Sequence, residues 1–187
     1  MSPLPKVLLE PGDFPVVTLT EPWATLVVLG EKEWETRSWP TSFRGELLIQ
    51  AAKSMPSWAQ EAALREPFVS VLAKHGIEMP RVEDAGGARG ARRFPFHFGS
   101  IIGAATLADT ARTEAVAEQL RKLGTQRALN ELAFGDYVEG RWAFRFTKPK
   151  RFAAPAFVRG SLGIWRLPKN TETAEQVRGQ LEGPTPP

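Results

Sequence analysis

Between residues 18 and 53 the hydrophobic period of the chain switches from that of a helix to that of a strand, so this stretch (TLTEPWATLVVLGEKEWETRSWPTSFRGELLIQAAK) must join a short helix to two strands. Trp23, Leu26 and Val27 stand at i, i+3 and i+4, the spacing of one buried helix face. Pro22 suits the first turn, where its missing N–H costs nothing, with Thr20 or Glu21 as N-cap, and Gly30 suits the left-handed stop. A helix of about two turns cannot hold itself together, so packing must do it. From Glu31 onward Lys32, Trp34, Thr36 and Ser38 alternate with Glu33, Glu35, Arg37 and Trp39, which sets Glu35 and Arg37 side by side on one strand face. On a regular strand Trp34 and Trp39 then face opposite ways and cannot both be core. A turn over 40–43 leads to a more apolar strand, 45–52, ending at Lys53.

The rest of the chain supplies partners for these elements. Residues 16–19 are β-formers and make a first strand. A helix beginning at Ser57, with Trp58, Ala62 and Leu64 inward, is interrupted at Pro67 and resumes to His75, which complements the dipole at its end. Residues 77–98 read as a long loop carrying Arg89, Arg92 and Arg93. Residues 99–107 read as a buried central strand in which Gly103 marks a bulge or a close backbone approach. One or two helices occupy 113–132, broken at Gly124, and 141–146 alternates Trp142, Phe144 and Phe146 with Arg141, Ala143 and Arg145, a strand pattern. Residues 162–167 form a last short strand. Residues 1–14 read as an extended arm, 15–168 as one domain, and 169–187 as a polar tail that is disordered or carries one frayed helix. Strands interleaved with helices, without regular βαβ spacing, predict an α+β fold: a mixed, strongly curved sheet or small barrel flanked by helices.

Composition narrows the chemistry. With 187 residues, 42% of them hydrophobic, one substantial core is affordable. No apolar run reaches the length of about 18 residues needed for a spanning helix, and the first residues are too weakly apolar for a secretory signal, which together predict a cytoplasmic protein without a membrane partner. The chain has no Cys, which excludes disulfides, thiol catalysis and Cys-based zinc sites, and its two His, His75 and His97, follow no ligand spacing. Without a phosphate-binding glycine loop or a nucleophile elbow, neither a metal nor a cofactor is predicted. A net charge of +3 and a pI near 9.4 favour a polyanionic partner.

Pro22-Trp23-Ala24, then Gly30, Lys32, Glu35, Arg37 and Trp39, then Arg44-Gly45 and the strand to Lys53, resemble the signature of the ASCH family, the domain named for its homology to a transcriptional coactivator. The 99–109 segment and 142–167, ending in Gly163-Ile164-Trp165, resemble later strands of that family. The resemblance implies a PUA-like fold, a small β-barrel with helices around it and a cleft beside the Gly30–Arg37 motif, and it implies nucleic-acid or nucleotide binding. Some small bacterial members are amidohydrolases acting on acetylated cytidine through a Lys, a Thr and a Glu, and others are reported as ribonucleases. Lys32 matches that catalytic Lys, whereas Glu35 stands where the Thr belongs. The Arg-Ser-Trp and Phe-Arg-Gly sequences look more like the coactivator-type domains.

Two functional readings follow. In the first, RNA or another single-stranded nucleic acid lies on a basic cleft, since phosphates require cations and sequence-tolerant base contact requires aromatic faces. Its candidate residues are Lys32, Arg37, Trp39, Arg44 and Lys53, extended by Arg89, Arg92 and Arg93 on the long loop and by Lys148, Lys150 and Arg151 after the aromatic strand. Phe94, Phe96 and His97 interleave with the loop cluster as stacking candidates. In the second reading the protein is a hydrolase of a modified nucleoside or of RNA, with Lys32 as general base and Glu35 as proton shuttle. Glu35 with Arg37 or Arg44 also reads as a purely structural ion pair.

Overall fold

The computed structural model describes residues 13–80 and 94–183. The greater part of the N-terminal arm and the candidates Arg89, Arg92 and Arg93 lie outside the described residues. Six strands, β1 (Phe14–Leu19), β2 (Trp34–Arg37), β3 (Gly45–Ala51), β4 (Ser100–Arg112), β5 (Trp142–Phe157) and β6 (Ile164–Leu167), join in one mixed sheet of order β2-β5-β4-β3-β1-β6. Only β1 and β3 pair in parallel, with Val17 opposite Ile49; the other described pairings are antiparallel. The sheet is curled, and its edge strands are β2 and β6.

The predicted helix and its Gly30 stop are present. α1 (Trp23–Val28) buries Ala24, Leu26 and Val27, and Gly30 takes φ +76 while the amides of Glu31 and Lys32 both bond to the Leu26 carbonyl. α1 lies across one face of the sheet, where Val27 and Val28 meet Leu47, Ile49, Phe144 and Phe146. Gly103 is the close approach that the sequence suggested. A Cβ there would lie 2.3 Å from the Lys150 carbonyl oxygen and 2.6 Å from Val28 Cγ1, so the missing side chain lets α1 settle on β4. β4 also shifts register around this residue.

α2 (Ser57–Ala63) and α3 (Phe68–Ala73) cover the outer side of α1 together with residues 94–98. The inward face of α2 is Ala59 and Ala63, so Trp58, expected in the core, is 58% exposed. The helix starts at Ser57 as expected, but its small residues rather than its Trp make the close contact. Phe96, expected as a stacking face, is buried in that second cluster, and Phe94 lies against it. α4 (Thr113–Leu123) and α5 (Gln126–Phe134) are separated by Gly124 at φ +60, and Thr125 caps α5 by accepting from the Ala128 amide.

Two parts of the polar C-terminal half differ from expectation. β5 does not stop at Phe146 but runs on to Phe157, passing through Lys148 at φ +49. The 169–187 segment contains α6 (Glu172–Glu182), which buries Ala174 and Val177 against Val16, Leu48 and Ile101 on the face of the sheet opposite α1. Lys150 Nζ donates to the carbonyls of Leu181 and Gly183, both at 2.7 Å, closing the end of that helix. Gln180 also accepts from the Ala153 amide at 3.0 Å, and Leu181 packs against the same cluster. No helix among the described residues is long and apolar enough to cross a membrane.

Candidate nucleic-acid interface

The sharp turn at Gly30 drives Lys32 inward. Its side chain is fully enclosed, and Nζ donates to the Trp34 carbonyl, lies 3.4 Å from Glu131 Oε1 and reaches 4.0 Å from Glu35 Oε2. Glu131, on α5, also accepts from the amides of Glu33 (2.7 Å) and Trp34 (3.1 Å) and from the Tyr137 hydroxyl (3.3 Å). Burial pushes the Tyr137 phenol well above its usual range, and the carboxylates of Glu131, Glu35 and Glu33 push it the same way, so it stays a donor. One carboxylate therefore stitches α5 to the start of β2. Lys32 is the counter-charge of that joint and is sealed from solvent.

Glu131 and Tyr137 were not singled out from sequence. Their signal is faint: Glu131 falls on the apolar side of α5, between Ala128 and Phe134, where an unpaired carboxylate would not be tolerated.

Glu35 and Arg37 do share a face of β2, as the alternation required. Arg37 Nη2 donates to the Thr18 carbonyl at 2.9 Å, and its Nε lies 3.4 Å from Glu35 Oε1. Both side chains line a cleft of about 470 Å³ whose other walls include Trp23, Trp58, Asp136 and Arg141. Trp23 and Trp58 stand 5.4 Å apart between ring centroids at 40°, and Trp23 Nε1 is used by the Phe134 carbonyl at 2.5 Å. Arg141 Nε lies 3.4 Å from Asp136 Oδ2. The Nε–H groups of Arg37 and Arg141 are enclosed and form no hydrogen bond, so each faces its carboxylate as an ion pair, while Arg37 is also anchored through Nη2. The cleft thus combines an exposed aromatic wall with two guanidinium–carboxylate pairs.

The remaining candidates spread over the molecule. Lys53 is exposed and lines a second, larger cleft of about 1020 Å³. Arg44 lies at the opposite end of β3, tied to Thr110 Oγ1 at 2.8 Å, to Asp109 at 3.5 Å and to the carbonyl of Phe43. Lys150 is committed to the end of α6, whereas Lys148 and Arg151 are exposed on β5. Trp39 packs edge-on against Phe144 at 5.0 Å, beside the first core cluster, while Trp34 packs against a separate cluster under α4 and α5. Both Trp residues have core partners because β2 ends at Arg37, which releases Trp39 from the strand's alternation.

The curved mixed sheet, the helix ending at Gly30 and the motif that follows define an α+β domain with one six-stranded sheet. The family model described as "ASCH domain" matches residues 17–150, and the chain belongs to that family. Among curated proteins it is 24% identical over 151 residues to activating signal cointegrator 1 of Mus musculus and, at the same identity and length, to that of Homo sapiens. The matched region covers 81% of this chain and only 22% of each relative. Among solved structures, ASCH from Zymomonas mobilis is similar at 18% identity with a TM-score of 0.46, covering 88% of this chain and 93% of that one. A serine-to-alanine mutant of the same bacterial protein is similar at 17% identity and TM-score 0.46, over 91% of this chain and 96% of that one.

Proposed function

We propose that this ASCH domain binds single-stranded nucleic acid, RNA in particular, by taking an unpaired base into the cleft walled by Trp23 and Trp58. The observation that carries the reading is Trp58, 58% exposed, standing against Trp23 at the mouth of a concavity rimmed by Arg37 and Arg141. An exposed indole on a cleft offers a stacking face to any base, and the volume falls within the range of about 300–1,000 Å³ typical of small-molecule sites. Arg37 and Arg141 supply positive charge, while Glu35 and Asp136 offer acceptors for base amino groups. Duplexes keep their bases stacked and cannot present one to such a cleft, so unpaired strands are the favoured ligand.

The geometry favours binding over hydrolysis. A general base must come within hydrogen-bond reach of the proton it takes, and Lys32 is fully enclosed with its acceptors already in place. The similarity to activating signal cointegrator 1 supports a binding role for this region; the activity of those much longer proteins is not transferred with it. Titration of single- and double-stranded RNA and DNA at two salt concentrations tests the proposal. Preference for single strands, weakened by Trp58→Ala, is expected; lack of binding to all four at low salt overturns it. Turnover of acylated nucleosides that disappears in Lys32→Ala would instead establish the hydrolytic role.

A further inference from the structure

Resting on that reading, we infer that the second cleft is the path of the strand's backbone and neighbouring base, so that the ligand is an oligonucleotide rather than a single nucleotide. This cleft, about 1020 Å³, is lined by Lys53 and Arg159 together with Phe98, Phe157 and Leu162, and among the described residues no carboxylate lines it. The groove beside α6 differs, because Asp13, Glu175 and Glu182 accompany its cations. A concavity with cations and no acids suits a polyanion, and Phe157, 71% exposed, adds an unused aromatic face beside them.

The cleft is preformed. The Thr18 hydroxyl donates to Gln50 Oε1 at 2.7 Å, and Gln50 Nε2 donates to the Val158 carbonyl at 2.8 Å, so a buried amide anchors the 158–162 loop that forms one wall. Gly160 sits directly against that amide; a Cβ there would lie 2.2 Å from Gln50 Oε1. The two clefts also adjoin. Thr18 lines the second, Thr20 lines the first, and Arg37 of the first cleft donates to the carbonyl of Thr18. Only Leu19 separates Thr18 from Thr20, two steps along the chain or at most about 7 Å, so a strand leaving the Trp58 cleft meets Lys53 and Arg159 next.

The test compares a nucleoside monophosphate with a single-stranded RNA of about eight nucleotides, within the site sizes known for such binders. Wild type, Trp58→Ala, Phe157→Ala and the double variant Lys53→Glu/Arg159→Glu are titrated at several salt concentrations, with thermal unfolding as the folding control. The double variant is expected to bind the oligonucleotide about tenfold or more weakly and to lose about 1.4 from the magnitude of its salt slope, about 0.7 for each of two phosphate contacts, while its affinity for the monophosphate changes little. Phe157→Ala weakens only the oligonucleotide, whereas Trp58→Ala weakens both ligands. If wild type binds the monophosphate as tightly as the oligonucleotide, or if the double variant keeps the oligonucleotide affinity and salt slope, the second cleft is not the strand's path, although the Trp58 cleft stands. If no nucleic acid of either length binds wild type, both readings fall together.

Discussion

Glu21 places a carboxyl inside the fold. The residue has no solvent exposure, lies just before α1 and pairs with no cation among the described residues; its carboxylate accepts from the Thr25 amide at 3.1 Å and hydroxyl at 2.9 Å. Burial raises its pKa from 4.5 to about 7, with the two Thr25 hydrogen bonds opposing the shift. The folded state therefore holds the proton more tightly than the unfolded chain. The stability this contributes is fully present below pH 4.5 and is lost as the pH rises to about 7, at about 1.4 kcal/mol per pH unit, or about 3 kcal/mol in all. Glu21→Gln removes the titration while keeping an oxygen for the Thr25 amide and an N–H for its hydroxyl. Urea denaturation of both proteins from about pH 4 to pH 8 isolates this one group, because other titrations cancel in the difference. The variant should gain on wild type by about 3 kcal/mol across that range. A difference that stays flat, or that favours wild type as pH rises, refutes the burial of an unpaired carboxyl at this position.

Three further outcomes follow from the packing and the clefts. Glu131→Ala strips the partner from enclosed Lys32 and from the amides of Glu33 and Trp34, and should cost about 3–5 kcal/mol in urea denaturation; a loss below about 1 kcal/mol would show that the joint is not what holds α5 to β2. Gly103→Ala drives a methyl into the Lys150 carbonyl and Val28, and thermal unfolding should register a loss of about 1–3 kcal/mol or more. Trp58→Ala, at an exposed position, should leave stability within about 1 kcal/mol of wild type while weakening nucleic-acid binding.

Much of the architecture was legible because local chemistry and tertiary packing agree there. Pro22, Gly30 and the Trp23–Leu26–Val27 spacing fixed a helix that α1 realises, and the alternation after Glu31 placed Glu35 beside Arg37. Gly103 announced a close approach that the helix needs. The failures come from pairing across the fold. The periodicity of residues 57–64 does not reveal that Ala59 and Ala63 make the closest contact, which turns Trp58 outward. Lys32 reads as a surface cation until a carboxylate 99 residues further on is seen to enclose it. The two buried residues that dock α6 lie in so polar a segment that a frayed tail was the natural expectation. Of the cleft, the charged rim at Glu35 and Arg37 was visible in sequence, while its aromatic wall was not, and Arg44 and Lys150 proved to have partners at other ends of the molecule.

In the proposed complex an unpaired base stacks in the Trp23–Trp58 cleft. The most direct measurement of that stacking is the affinity of wild type and Trp58→Ala for one labelled single-stranded RNA at about 50 and 200 mM salt, read by fluorescence anisotropy. Wild-type binding that weakens with salt, together with a further loss of about 5- to 150-fold in the variant, equivalent to about 1–3 kcal/mol of stacking, is the predicted result. Equal affinities for the two proteins, or no wild-type binding at the lower salt, would contradict it.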